Sequence, residues 1–233
     1  MHKPIYDITP LTLLDFPQKI ACTIWFAGCN MRCPYCYNVD IVEGRGVKTV
    51  DEISHFLQKR AGKLDAVVFS GGECTLHPKA LKELAFLAKN HNYAVKIDTN
   101  GSNPDLIAEF IEEGLVDYIA LDFKGSKYQM AEITQLKTAF SQFEKTFDLL
   151  QKSAVDFEIR TTVHSALFSK NLLQEMGKYL QKKNYRNNWY WQEFVDAPKT
   201  LGEIGASKKG YINELYSLVK AHEFGYSKIE LRN

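Results

Sequence analysis

Six times along the chain a short apolar, β-branched run is followed by a longer helical pattern, and this alternation constrains the fold more than any single residue. The runs are IACTIWFAG (20–28), DAVVFSGG (65–72), YAVKIDTNG (93–101), VDYIALDFKG (116–125), VDFEIRTTVH (155–164) and NWYWQEF (188–194). The helices between them carry their own start and stop signals. Thr49 and Glu52 make a capping box for a helix that stops near Gly62. Pro78 suits the first turn of a helix ending near Asn90, and Asn103-Pro104 opens another that Gly114 closes. Further helices are predicted over about 137–152, 171–183 and 208–222. Nearly continuous hydrophobic strands alternating with helices point to a parallel sheet covered by helices. An open doubly wound sheet and a barrel with six of the usual eight units both satisfy the pattern. In either, ligands bind at the carboxyl ends of the strands.

Those ends turn polar in series. The first strand runs into Cys29-x3-Cys33-x2-Cys36, and the second ends in Ser70-Gly71-Gly72-Glu73. The third ends in Asp98-Thr99-Asn100-Gly101 and the fourth in Asp122-Phe123-Lys124. The fifth ends in Arg160-Thr161-Thr162-Val163-His164, and the sixth in Gln192-Glu193. One polar strand end is only the start of a loop. Six on the same side of a sheet, one of them a thiol cluster, are better explained by a shared site.

Composition narrows the chemistry. With 29 basic and 28 acidic residues the net charge is +1, which gives no signal for a nucleic-acid or membrane-surface partner. The first 17 residues lack a long apolar core and are interrupted by Pro4, Pro10 and Pro17, and no apolar run is long enough to span a bilayer. A soluble cytoplasmic protein is expected, and in that reducing compartment an odd count of five cysteines disfavours a disulfide framework. A closed zinc site wants four ligands, so three crowded thiols need an outsider, Cys74 or His77. A cubane iron–sulfur cluster held by three thiolates instead leaves one iron free for a substrate or cofactor. The residues alone leave both open.

The cysteine spacing, with Tyr35 before the last thiol, together with Gly71-Gly72-Glu73 on the next βα unit, resembles the radical S-adenosylmethionine superfamily. Within it, TLLDFPQKIACTIWFAGCNMRCPYC, DTNGSNP and GLVDYIALDFK resemble the activating enzymes of glycyl-radical proteins, most of all those serving anaerobic ribonucleoside-triphosphate reductase. The pattern departs from that family at Tyr37, where His is expected, and at Cys74, where Pro is expected. The resemblance implies a partial (β/α)6 barrel in a single domain over 1–233, with its core at about 18–195 and a helix and tail from 196. It implies a [4Fe–4S] cluster on Cys29, Cys33 and Cys36, reductive cleavage of S-adenosylmethionine to a 5′-deoxyadenosyl radical, and a glycyl radical made on a partner enzyme. Flavodoxin or ferredoxin is the implied electron donor.

Site roles follow from the same resemblance. Glu73 is expected at the methionine ammonium, with Gly71 and Gly72 letting the backbone close on the ligand. Tyr35 is expected against the adenine. Asp98, Thr99 and Asn100 suit the ribose or the amino-acid end, Lys124 the carboxylate, and Arg160 or His164 the cofactor or substrate. Asp98 and Asp122 are also expected to help bind a monovalent cation. Structural alternatives stand beside each role: Asp98–Gly101 as a turn before a helix, Asp122–Lys124 as a solvated pair, and His164, His77 and His55 as ordinary structural or surface histidines. Two other functions remain: a radical enzyme acting on a small molecule or peptide, such as a deazapurine synthase, and a non-enzymatic zinc module.

Overall fold

The computed structural model describes residues 3–202, 204–220 and 228–232. Among these, one sheet holds eight strands in chain order. They are β1 (Ile5–Thr12), β2 (Ala21–Phe26), β3 (Ala66–Gly71), β4 (Ala94–Thr99), β5 (Tyr118–Asp122), β6 (Asp156–Val163), β7 (Asn188–Glu193) and β8 (Lys228–Arg232). The helices are α1 (Val39–Glu43), α2 (Val50–Arg60), α3 (Pro78–Asn90), α4 (Pro104–Glu112), α5 (Met130–Thr134), α6 (Ala139–Lys152), α7 (Lys170–Lys182) and α8 (Tyr211–Lys220). From β2 to β8 every neighbouring pair is parallel, and β1 pairs antiparallel with β2. The two edges of the sheet are β1 and β8, so the barrel is incomplete on that side.

All six expected strands are present, as β2 to β7. Two strands extend the expected six. β1 carries Pro10, which an edge strand tolerates because one side of its ladder is unpaired, and its register slips between Thr9 and Thr12. β8 lies in the stretch read as a tail. The five-residue helices α1 and α5 fall in segments read as loops. The expected end of the last helix at His222 lies outside the described residues.

Local chemistry sets the helix starts. Thr49 Oγ1 accepts the Glu52 N–H at 3.2 Å while Glu52 Oε2 accepts the Thr49 N–H at 2.6 Å, which closes the capping box. Asn103 and Ser169 cap α4 and α7 through the N–H groups of Leu106 and Leu172. Strand residues then alternate between two faces. Ile24, Phe26, Val67, Phe69, Ile97, Leu121, Ile159 and Trp189 are fully buried in the main apolar core with the helices. The other face holds a small separate cluster of Phe16, Ala21, Ala66 and Val68, with Ala94 and Tyr118 against it. Further along that same face the chain becomes charged.

Candidate active site

A cavity of about 260 Å³ opens at the carboxyl ends of the strands, lined by Cys29, Cys33, Cys36, Tyr35, Gly71, Gly72, Asp98, Asn100, Asp122, Lys124 and Arg160 among others. The loop after β2 carries the thiols. It is held by Gly28 N–H donating to the Ile41 carbonyl at 2.8 Å and Arg32 N–H to the Thr134 carbonyl at 2.9 Å, so α1 and α5 serve as its anchors. The Cys36 N–H closes a turn onto the Cys33 carbonyl at 3.0 Å. All three cysteines are unpaired. Burial pushes the Cys29 thiol up to about 12 and raises Cys33 and Cys36 as well, so metal loading has to displace thiol protons.

The placement of the outsiders weighs against zinc. Cys74 is fully buried, with its Sγ at 3.7 Å from the Phe69 carbonyl and 3.6 Å from that of Asp98. The His77 ring meets the Ala27 carbonyl at 2.7 Å. Neither lines the cavity. Among the described residues no three His, Cys, Asp or Glu side chains converge as the ligands of a single metal ion. Three thiols lining one cavity, with no fourth cysteine and no histidine beside them among the described residues, suit a cubane cluster with an open iron.

The glycine pair brings the second loop hard against the first. Gly71 has φ +126°, and a Cβ there would overlap the Phe26 backbone; one on Gly72 would overlap the Gly28 carbonyl. Gly72 N–H and Glu73 N–H donate to the Phe26 and Gly28 carbonyls at 3.0 and 2.9 Å, stitching the two loops together. Glu73 is placed differently from its expected role. Its carboxylate is 1% exposed and accepts from Thr75 N–H and hydroxyl, the Thr99 hydroxyl and the Asn100 N–H at 2.7–3.1 Å. With its lone pairs taken by four donors behind the wall, it braces the ends of β3 and β4 rather than reaching into the cavity. Thr99, 2% exposed, belongs to that brace. Asn100 does line the cavity, with its side-chain amide 2.9 Å from Asn30 Oδ1.

The cavity floor is a chain of alternating charges. Lys96 Nζ lies 2.6 Å from Asp98 Oδ1; Arg160 Nη1 lies 3.3 Å from Asp98 Oδ2; Arg160 Nη2 lies 3.0 Å from Asp122 Oδ1; and Lys124 Nζ lies 3.0 Å from Asp122 Oδ2. Burial by itself would raise the Asp98 carboxyl, but Arg160 and Lys96 overrule it and hold it below the usual carboxylate range. Lys124 and Arg160 do the same for Asp122. In return Asp122 holds the Lys124 ammonium up against its own desolvation. Asp122–Lys124 is therefore a half-buried pair coupled to Arg160, not a solvated one. The monovalent cation expected at Asp98 and Asp122 meets two carboxylates already neutralised by three of the chain's own cations.

His164 stands apart from the cavity. It is fully buried; its Nδ1 accepts the Ala166 N–H at 3.1 Å, so its Nε2 carries the proton and donates to the Gly205 carbonyl at 2.9 Å. It pins a strap after β7. Earlier in that strap, Leu201 N–H and Gly202 N–H donate to the Cys36 and Pro34 carbonyls at 2.9 and 3.0 Å. Leu201 thereby joins the cavity wall, as do Trp25, Met31, Asn38 and Asp15. None of these carried a sequence signal for the site, except that Trp25 shares the inner face of a strand leading to the thiols. Tyr35 lies in the wall, its ring edge-on to Phe168.

An incomplete parallel barrel with three thiols, a glycine-stitched wall and a charged floor around one cavity is an enzyme site for a cluster and a zwitterionic ligand. The chain belongs to the radical SAM superfamily, whose sequence model matches residues 23–180, and whose members use a [4Fe–4S] cluster and S-adenosylmethionine. It is 33% identical over 92% of its length to a Methanocaldococcus jannaschii protein named for a proposed glycyl-radical enzyme activating role, of which it covers 95%. It is 32% identical to the pyruvate formate-lyase-activating enzyme of Clostridium pasteurianum over 126 residues, about half of each chain. The solved structure of anSMEcpe with bound AdoMet matches with a TM-score of 0.66 at 21% identity, over 88% of this chain and 61% of that one, which is a likeness of fold. Among the described residues, no helix is long and apolar enough to cross a membrane.

Proposed function

We propose that this chain activates a glycyl-radical enzyme, most specifically an anaerobic ribonucleoside-triphosphate reductase. The observation that carries the reading is one cavity lined both by Cys29, Cys33 and Cys36 and by Lys124 and Arg160. A relative of nearly the same extent, named for a glycyl-radical activating role, supports the activase. When bound, the cluster and S-adenosylmethionine supply reductive carbon–sulfur cleavage and hydrogen-atom abstraction. Cys29, Cys33 and Cys36 would hold the cluster. The backbone at Gly71 and Gly72 forms a wall with no side chain to keep the ligand away, and Glu73 fixes that wall to Asn100. Lys124 and Arg160 face the ligand's carboxylate, and Tyr35 faces its adenine. The strap carrying Leu201 keeps water from the thiol loop.

The test is anaerobic. The reconstituted protein, reduced by flavodoxin or ferredoxin and mixed with an anaerobic ribonucleotide reductase, is expected to give the electron paramagnetic resonance doublet of a glycyl radical. Cleavage of S-adenosylmethionine without that doublet, with product formed on a small molecule or free peptide instead, overturns the activase reading and keeps the radical enzyme.

A further inference from the structure

Lys96 is a charge where the fold asks for an apolar side chain. It stands in β4 between Val95 and Ile97, in register with Val68 on one side and Tyr118 on the other, beside the apolar cluster of Phe16, Ala66 and Val68. Its side chain is 3% exposed and does not line the cavity. Burying an ammonium there costs free energy that an apolar residue of similar length avoids. Two groups answer it: the Asp98 carboxylate at 2.6 Å and the face of Tyr118, with the ring centroid 6.0 Å away.

The partner decides what this charge does. Asp98 is shared with Arg160, and Arg160 is shared with Asp122, whose other oxygen holds Lys124. Without Lys96 the two carboxylates and the two remaining cations balance, and Arg160 and Lys124 are fully engaged. With Lys96 these five groups carry one positive charge in excess, and the nearby Glu158 is answered by its own cation, Arg232. The surplus is felt at Arg160 and Lys124, because they line the cavity and Lys96 does not.

We propose that Lys96 is a positioning residue that neutralises Asp98 from beneath the floor, leaving Arg160 and Lys124 free to hold a ligand carboxylate. The inference rests on the S-adenosylmethionine reading of the cavity. Its test compares two ligands on anaerobic, cluster-loaded protein: S-adenosylmethionine and 5′-methylthioadenosine, which keeps the adenosine but lacks the amino-acid arm, with its carboxylate and ammonium, and the sulfonium charge. Lys96→Met and Lys96→Gln are expected to weaken S-adenosylmethionine about ten-fold, the scale of one charge-assisted contact, and to leave methylthioadenosine unchanged. Lys96→Arg keeps the affinity. The double variant Lys96→Met/Asp98→Asn restores the surplus charge and is expected to recover most of it. Unchanged S-adenosylmethionine binding in Lys96→Met, equal loss of both ligands, or a double variant no better than the single one overturns the proposal. A wild-type protein that binds neither ligand overturns the functional reading instead.

Discussion

The two ends of the same strands, on the same face of the sheet, use opposite chemistry. At the amino ends Phe16, Ala21, Ala66 and Val68 close on one another as a small apolar plug. At the carboxyl ends that face presents Ser70, Asp98, Asp122 and Arg160 to a cavity. A strand's pleat returns to the same face every second residue, so two or four residues carry each strand from one regime to the other. Parallel register then lines the changes up into layers. The contrast separates what holds the barrel from what the barrel holds, and substitutions in one layer are expected to spare the other.

The largest effect belongs to the thiol loop. Cys33→Ala is expected to abolish cluster loading and S-adenosylmethionine cleavage, measured as iron content and 5′-deoxyadenosine formed under reductant, while the apoprotein keeps its melting temperature. Full cleavage by that variant removes the thiols from the site. The plug answers next: Phe16→Ala leaves a cavity among Ala21, Ala66 and Val68 and is expected to cost about 3–5 kcal/mol in anaerobic urea unfolding. Ligand affinity of the protein that remains folded is expected to be unaltered, and a parallel loss of affinity would join the two layers into one.

Acid offers a finer separation. Asp98 and Asp122 hold folded values below the 3.8 of a free carboxyl. Their ionised forms therefore stabilise the fold above that pH, and this contribution is lost as the pH falls through the lowered folded values. Asp98→Asn is expected to flatten the acid limb of the stability profile, whereas Phe16→Ala shifts the whole profile without changing its slope. The smallest expected effect is none: replacing sodium with potassium, or removing both, leaves S-adenosylmethionine affinity unchanged, because the chain's own cations already meet Asp98 and Asp122. A clear potassium dependence in a binding titration would contradict the floor as drawn.

The contrast also explains what was legible in the sequence. Strands β2 to β7 announced themselves because both of their faces are largely buried, and the thiols and Gly71-Gly72 because few residue types tolerate their positions. β1 was hidden by Pro10, acceptable at an edge, and β8 by a short half-exposed run. Lys96 was visible as a lysine inside YAVKIDTNG, two residues before an aspartate on the same face, but its burial beside Val68 and Tyr118 became apparent only with the register. Glu73 and His164 were placed in the ligand's reach by their neighbours in sequence. Their hydrogen bonds turn them into the wall, and nothing in a linear motif reports which way a side chain turns. Leu201 arrives over the thiols from a distant segment with no pattern at all.

That last segment has a consequence for how the enzyme is made. Because Leu201 and Gly202 hydrogen-bond to the backbone of Cys36 and Pro34, the strap and the thiol loop are closed by the same contacts. During synthesis the cysteines leave the ribosome well before the strap exists, so irons and sulfides supplied then meet an uncovered loop. Supplied to the finished chain, they meet a loop whose backbone is already fixed at Cys36 and Pro34, with its thiols facing the cavity. Early and late delivery thus meet the same three thiols on differently constrained backbones.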